Sequence, residues 1–224
     1  MTCLEDIEER RRFVLENTSP MAPGHVAEIQ LHTASMAHDL WLKTEEELEA
    51  VGLPPPFWAF AWAGGQGLAR YILDNPQTVR GKHVLDLASG SGLVAIAAAK
   101  CDSASVTAND IDPFSAVATI ENARLNCVEI AFDSHDMLSG PPDLKNSFDI
   151  VLAGDVFYDR SMSSLVLDWM QAANSQVETI LIGDPGRSYF PQRDMNLLAD
   201  YHLPVTRELE DNDIKHVSVW QFTG

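Results

Sequence analysis

The fold is decided by the stretch His83-Val84-Leu85-Asp86-Leu87-Ala88-Ser89-Gly90-Ser91-Gly92-Leu93-Val94-Ala95-Ile96-Ala97-Ala98-Ala99-Lys100. A short apolar run reaches an acidic residue, passes through two glycines and becomes an alanine-rich segment. This order predicts a buried strand, a tight turn and a helix. Gly90 and Gly92 lack the side chains that would keep a ligand away from the backbone, and the first turn of the helix offers unpaired N–H groups. The turn therefore predicts a ligand site.

The acidic residues around this turn distinguish two classes of ligand. The pattern Gly90-x-Gly92-x-x-Ala95 fits the dinucleotide fingerprint, and an ordinary turn would also hold two such glycines. Asp86 lies four residues before Gly90, where its carboxylate would repel a pyrophosphate. It would attract a cation such as S-adenosylmethionine (SAM), which carries a sulfonium and an ammonium group and no phosphate. Asp110 ends the next apolar run and is placed to accept hydrogen bonds from a ribose. Together the two acids favour the methyl donor.

Length and composition indicate one soluble domain over residues 1–224. The chain is 46% hydrophobic and 21% charged, which is ordinary for a globular protein, and its apolar runs are far shorter than a membrane span. The net charge of −18 predicts no binding to nucleic acid or anionic membranes and an attraction to basic proteins, although solubility alone would also explain it. Because the first residues are acidic, a bacterial cytoplasmic protein is expected, or a mitochondrial matrix protein whose presequence has been removed.

The cysteines and the clustered histidines predict no metal site. Neither set has metal-ligand spacing, so reduced thiols and isolated imidazoles are expected. These residues are Cys3, Cys101, Cys127, His25, His32 and His38.

The alternation of apolar and helical stretches predicts a doubly wound α/β fold with a seven-stranded, mostly parallel sheet. Five strands are expected near residues 83–87, 106–110, 130–135, 148–155 and 178–185, with helices between them. A further helix is expected over residues 191–201, followed by an antiparallel hairpin of residues 203–210 and 214–222. Residues 1–56 are expected to form an N-terminal helical cap, with helices over 2–16 and from Thr44, and residues 57–224 the core.

An aromatic cluster precedes the helix that is expected to begin near Gly64. Phe57, Trp58, Phe60 and Trp62 lie within six residues. Their ring faces would suit a sulfonium or a methylated ammonium. Packing of Trp58 and Phe60 in the core, with Trp62 supporting the turn, is the alternative.

Six segments carry a resemblance to a known family. They are residues 57–66 (FWAFAWAGGQ), 84–92 (VLDLASGSG), 108–113 (ANDIDP), 154–159 (GDVFYD), 182–187 (IGDPGR) and 219–222 (VWQF). Together they resemble the seven-strand class I SAM-dependent methyltransferases, and among these the electron transfer flavoprotein beta-subunit lysine methyltransferase family. One departure is Ala63, where many relatives have proline after the tryptophan; this makes the turn less rigid but removes no functional group.

The resemblance implies a set of donor contacts. Asp86 and the backbone of Gly90 and Gly92 would hold the methionine part of SAM, with Ser89 in the same turn. Asp110 would bind the ribose, Ile111 would lie against the adenine and Asp136 would meet its amino group. Trp62 would close over the donor, and Asp155 would reach both the donor and the mouth where the target amine enters. The product would be S-adenosylhomocysteine.

The acid–aromatic–acid order of Asp155, Tyr158 and Asp159 predicts the catalytic groups. A lysine must lose its proton before it can accept a methyl group, and either aspartate could orient the nitrogen and assist that loss through water. Tyr158 could hydrogen-bond the amine or bound the slot. The alternatives are a core position for Tyr158 and helix capping for Asp159. Asp184 and Arg187 lie beside the same crevice, where they could shape the substrate surface, pair with each other or belong to a plain turn.

The resemblance thus implies a monomeric protein-lysine N-methyltransferase whose substrate is the electron transfer flavoprotein beta subunit. Three other functions remain open. The target could be a lysine of a ribosomal or other protein, the turn could serve an NAD-dependent oxidoreductase, or the chain could be a donor-binding module without transfer activity.

Overall fold

A computed structural model describes residues 6–34, 55–204 and 214–224. The helix that was expected from Thr44 lies outside these residues, as do Cys3, His38 and most of the strand expected over 203–210. No helix in the described ranges is long and apolar enough to cross a membrane.

The described N-terminal segment contains a helix and a small sheet. Helix α1 (Ile7–Asn17) begins where Asp6 accepts a hydrogen bond from the Glu8 amide, within the expected helical stretch. Strands β1 (Ser19–Met21) and β2 (Leu31–Thr33) pair antiparallel. A cap built from helices alone is therefore wrong for this segment. Val14 of α1 is fully buried in an aromatic cluster with Trp58, which fixes the segment to the core.

The main sheet has the predicted seven strands. They are β3 (His83–Leu87), β4 (Ser105–Asn109), β5 (Ala131–Asp133), β6 (Ile150–Gly154), β7 (Thr179–Asp184), β8 (Met195–Pro204) and β9 (Ile214–Phe222). Their spatial order is β5-β4-β3-β6-β7-β9-β8. The first five are parallel, while β9 runs antiparallel to both β7 and β8. The mostly parallel sheet with a C-terminal antiparallel hairpin is thereby confirmed.

Helices cover both faces of this sheet. They are α2 (Ala63–Asp74), α3 (Leu93–Lys100), α4 (Pro113–Leu125) and α5 (Arg160–Ala173). Val84 packs in one core cluster with α2 and α3, whereas the next residue, Leu85, packs in another cluster with α5. Strand β3 thus buries both of its faces, as parallel strands between two helical layers do.

The predicted helix over residues 191–201 is wrong, and the first hairpin strand begins earlier than the expected 203–210, most of which lies outside the described residues. Strand β8 occupies Met195–Pro204 and pairs with β9. The ladder shifts register between Leu197 and Ala199, and such a bulge interrupts the two-residue alternation by which a strand is recognised. Leu197, Leu198 and Tyr201 then show a helix-like spacing. Pairing with β9 is a tertiary interaction that this local pattern does not reveal.

The sheet topology places a crevice beside the glycine turn. Strand β3 pairs with β4 on one side and with β6 on the other, so the chain reverses its direction of winding at β3. In open α/β sheets, ligands bind at the carboxyl ends of the strands at this point.

Candidate active site

A cavity of about 900 Å³ lies at the carboxyl ends of β3, β4 and β6. Five aspartates line it, whereas Arg187 is the one basic residue among the described residues that do so. The aspartates are Asp86, Asp110, Asp112, Asp136 and Asp155. The cavity is therefore suited to a ligand that carries positive charge.

Residues 88–91 of the glycine turn line this cavity, whereas Gly92 is not among the lining residues. Gly90 and Gly92 have φ angles of 51° and 76°, in the left-handed region that glycine adopts without strain. Gly92 is also crowded, since a Cβ there would lie 2.9 Å from the Thr119 side chain. The backbone of the turn follows this path because neither residue has a side chain.

Asp86 is buried at the end of β3. Its residue is 1% exposed, and its Oδ2 accepts a hydrogen bond from the Ala95 amide in the first turn of α3 at 2.9 Å. Burial raises the pKa of this carboxyl to about 8. A cationic ligand beside it would favour the charged form and lower that pKa.

Asp110 directly follows β4 and contacts the glycine turn. Its Oδ2 accepts from the Gly90 amide at 2.8 Å and its Oδ1 from the Asp112 amide at 3.0 Å, while burial raises its pKa. Hydrogen bonds from the Ser115 side chain and the Ile111 amide partly offset this rise, and a ribose hydroxyl would be a further donor to the same carboxylate. The Asp110 carboxylate thus occupies the Gly90 amide, and the Asp86 carboxylate occupies the Ala95 amide. A pyrophosphate would need amides of this kind, so their occupation disfavours a dinucleotide.

The other predicted donor contacts also line the cavity. Ile111 is 67% exposed, an unusual state for a large apolar side chain at a cavity wall. Asp136 is exposed and accepts a hydrogen bond from the Leu138 amide at 3.1 Å. The Ser89 Oγ is buried without a hydrogen-bond partner in the part of the chain that the structure describes. A bound ligand would satisfy this hydroxyl.

The aromatic segment divides between core and cavity. Trp58 is 1% exposed and stacks on Phe114, as the core interpretation predicts. Phe57, Phe60 and Trp62 line the cavity, although Phe60 is itself buried. The Trp62 Nε1 donates to the Phe57 carbonyl at 2.9 Å. Each of the two interpretations is therefore right for part of the segment.

Asp155 is held from two sides. It follows β6 with a φ of 61°, and its residue is 6% exposed. The Oδ2 atom accepts from the Gly64 amide at the start of α2 at 2.9 Å. The Oδ1 atom accepts from the Arg187 Nε at 2.6 Å. This carboxylate joins the end of β6, the start of α2 and the loop after β7.

Tyr158 and Asp159 have different surroundings. Tyr158 lines the cavity, is 47% exposed and lies 5.4 Å from Phe57 between ring centroids; it is not a core residue. Asp159 is the N-cap of α5 and accepts from the Ser161 and Met162 amides, which lowers its pKa. Asp159 is not among the cavity-lining residues, so the structure favours the capping alternative for it.

The partner of Asp155 is the feature that the sequence did not indicate. A side-chain pair between Asp184 and Arg187 was one expectation, but the Arg187 guanidinium contacts Asp155. Asp184 instead accepts from the backbone amides of Gly186 and Arg187 at 2.7 and 2.8 Å. Asp184 is 1% exposed, and burial raises its pKa to about 6. Both acids therefore fix the loop that carries Arg187.

These observations fit SAM. The acidic cavity suits its sulfonium and ammonium groups, and the unpartnered Ser89 hydroxyl provides a further polar contact. Asp86 and the glycine turn would hold the methionine part, Asp110 the ribose and Ile111 the adenine.

Comparisons with known proteins identify relatives of this chain. The family model of ribosomal protein L11 methyltransferase (PrmA) matches residues 70–180. A Danio rerio protein named electron transfer flavoprotein beta subunit lysine methyltransferase is 34% identical over 222 residues, which cover 96% of this chain and 84% of that protein.

Solved structures share the fold at low sequence identity. One is a putative RNA methyltransferase of Pyrococcus horikoshii, with a TM-score of 0.52, 15% identity and coverage of 71% of this chain and 82% of that chain. Another is the Synechocystis magnesium protoporphyrin IX methyltransferase with bound SAM, with a TM-score of 0.50, 16% identity and coverage of 71% and 80%.

The fold is thus that of the class I methyltransferases, and the protein is a SAM-dependent methyltransferase. Because the relative in Danio rerio matches nearly the whole chain and most of its own length, the chain belongs to the electron transfer flavoprotein beta subunit lysine methyltransferase family.

Proposed function

We propose that this protein methylates lysine ε-amino groups of the electron transfer flavoprotein beta subunit. The observation that carries the proposal is the acidic, aromatic-walled cavity in a chain that is similar over nearly its full length to enzymes named for that activity. The net charge of −18 favours a substrate whose lysines lie in a basic segment.

SAM, when bound, supplies a methyl group on a positively charged sulfur. The chain has to position the target lysine and remove its proton, since a free lysine has a pKa of about 10.4. The walls formed by Phe57, Trp62 and Tyr158 exclude water from the amine, and desolvation disfavours the ammonium form. Alignment of the neutral nitrogen then provides most of the catalytic effect.

Asp155 and Tyr158 are the proposed catalytic residues. Both line the cavity, and the Asp155 carboxylate retains lone pairs beyond its contacts with Gly64 and Arg187. These lone pairs orient the amine and accept its proton through water. Asp159 was predicted as a third member, but its capping contacts support a structural role instead.

The donor-binding residues are also part of the proposal. They are Trp62, Asp86, Ser89, Gly90, Gly92, Asp110, Ile111, Asp136 and Asp155. We further propose a single methyltransferase domain over residues 1–224, with its catalytic core over 57–224, that acts as a monomer on a protein and not on nucleic acid or membranes. Its compartment would be the bacterial cytoplasm or the mitochondrial matrix.

A ribosomal protein is the second candidate substrate. The match of residues 70–180 to the model of ribosomal protein L11 methyltransferase favours it. That match covers the donor-binding turn and leaves out Phe57 and Trp62, so it supports the donor more strongly than the target.

Labelled methyl transfer tests the proposal. The protein would be incubated with methyl-labelled SAM and purified electron transfer flavoprotein, and in parallel with ribosomal proteins and an extract of cells that lack the enzyme. Mass spectrometry is expected to locate the label on lysines of the beta subunit. Label on a ribosomal protein alone would support the second candidate. SAM binding without any transfer would indicate a donor-binding module.

The role of Asp155 has its own test. Asp155→Asn is expected to lower kcat, because an amide accepts no proton from the amine. An Asp155→Asn variant with full turnover and full donor affinity would refute the catalytic role.

A further inference from the structure

We infer that four apolar side chains at the cavity mouth dock an apolar residue two positions from the target lysine, in an extended segment of the protein substrate. This inference rests on the proposed protein-lysine methylation. We call these side chains the apolar rim: Phe57, Tyr158, Met162 and Leu165. All four line the cavity.

The first argument is where the exposed apolar side chains lie. Eight large hydrophobic residues in the described ranges are exposed, and four of them line this one cavity: Phe57, Ile111, Tyr158 and Leu165. Single exposed apolar residues are normal, whereas a concentration at one site marks a contact surface. Ile111 is assigned to the donor, which leaves the other three for the substrate.

The second argument is that both parts of the rim are held in place. The Phe57 and Tyr158 rings lie 5.4 Å apart. Met162 and Leu165 are three residues apart on α5, hence on the same face of that helix. Asp159 caps the start of α5, and the Phe57 carbonyl accepts from the Trp62 indole. A preformed surface loses little conformational entropy when it binds a partner.

The third argument is charge complementarity. Among the described residues that line the cavity behind the rim, five are aspartates and one is an arginine, so the cavity selects a cationic side chain that enters past apolar walls. Lysine has this form, with an aliphatic stem and a charged tip. In an extended segment, side chains two positions apart point to the same side. A substrate residue two positions from the lysine would therefore face the rim, and an apolar side chain would suit it.

A pair of leucine variants tests the rim. Leu165 and Leu197 are both exposed leucines, at 51% and 46%, but only Leu165 lines the cavity. Leu165→Ser is expected to raise the KM for the protein substrate about fivefold, as half of a leucine contact is lost. The kcat and the Kd for SAM should stay at the wild-type values. Leu197→Ser should match wild type in all three.

Substrate peptides provide the complementary test. In peptides around the mapped lysine, a serine would replace the apolar residue two positions away. The wild-type enzyme should bind this peptide more weakly than the original peptide. The Leu165→Ser enzyme should bind the two peptides with nearly equal affinity, because the enzyme change and the peptide change remove the same contact.

Three outcomes would overturn the rim. One is an unchanged KM in Leu165→Ser. Another is a Kd for SAM that rises in this variant by the same factor as the KM. The third is a wild-type dimer that Leu165→Ser dissociates, as the rim would then contact a second copy of the chain. If wild-type enzyme methylates no lysine at all, the proposed function fails. If the wild-type enzyme methylates lysine and Leu165→Ser has an unchanged KM, only the inference about the apolar rim fails.

Discussion

The Arg187 Nε donates to the Asp155 Oδ1 at 2.6 Å. The Asp155 side chain is 4% exposed and that of Arg187 is 24% exposed. Asp155 also has a φ of 61°, a left-handed conformation that is costly for a residue other than glycine. The ion pair and the Gly64 amide together hold the aspartate in this conformation.

Arg187→Met should destabilise the protein by about 2 kcal/mol, because it leaves the buried Asp155 carboxylate with one partner fewer. Urea unfolding monitored by circular dichroism would measure this loss. Addition of Asp155→Asn to Arg187→Met should restore part of it, since the double variant has no unpaired charge. A double variant less stable than either single variant would contradict the explanation.

Arg160→Met provides the matched control for that experiment. Arg160 is exposed and contacts the Tyr189 ring at 5.7 Å, without a buried partner among the described residues. Its replacement should cost less than about 1 kcal/mol.

Asp86→Asn should weaken SAM binding on the order of tenfold, because an asparagine cannot become negatively charged beside the bound cation. Titration calorimetry would measure the change. The variant can keep its bond to the Ala95 amide, since the asparagine carbonyl also accepts. Unchanged affinity would show that Asp86 does not meet the donor.

The pKa of Asp86, about 8 in the folded protein, also predicts how stability depends on pH. An unfolded aspartate has a pKa of about 3.9, so between these values the folded state binds more protons than the unfolded state. Asp86 therefore contributes a fall in stability as pH rises from about 4 to about 8. Asp86→Asn should reduce the fall in Tm, and Asp168→Asn, at an exposed position of α5 that does not line the cavity, is the matched control.

Donor affinity should respond to pH in the opposite direction. Deprotonation of Asp86 favours a cation, so wild-type affinity for SAM should rise between about pH 6 and about pH 7, where an α-amino group with a pKa of about 7.7 is still mostly protonated. Asp86→Asn should abolish the rise. Equal slopes in both proteins would assign the effect to another group.

Gly64→Ala should destabilise the protein by about 3 kcal/mol, because the new Cβ has no room. It would lie 2.4 Å from the Gly183 carbonyl and 2.7 Å from the Asp155 amide. Gly140→Ala is the control, since a Cβ there meets nothing within 4 Å. Urea unfolding should place this control within about 0.5 kcal/mol of wild type. Equal stabilities of the two variants would contradict the close packing of α2.

Asp159→Ala should lower Tm with little change in kcat, because Asp159 caps α5 and does not line the cavity. Asp159→Ser should recover much of the Tm, as serine is also a good N-cap. Thermal unfolding and methyl-transfer assays would separate the two roles. A large loss of kcat in both variants would support a catalytic role for Asp159.

Much of the site could be predicted from the sequence because it depends on local chemistry. The left-handed turn around Gly90 and Gly92 follows from residue type, and Asp86 and Asp110 follow from their places at strand ends. Strand β8 could not be predicted in this way, since its bulge hides the alternation and its stability comes from pairing with β9.

The sequence by itself determined the α/β class, the donor turn and the acidic character of the cavity, because strand and turn propensities act over a few neighbouring residues. Only the tertiary structure decided that Arg187 pairs with Asp155, that Asp159 faces its own helix and that Trp58 and Trp62 separate into core and cavity. These outcomes depend on which loops and helix ends meet in space, and residues such as Asp155 and Arg187 are brought together by sheet pairing rather than by their spacing along the chain.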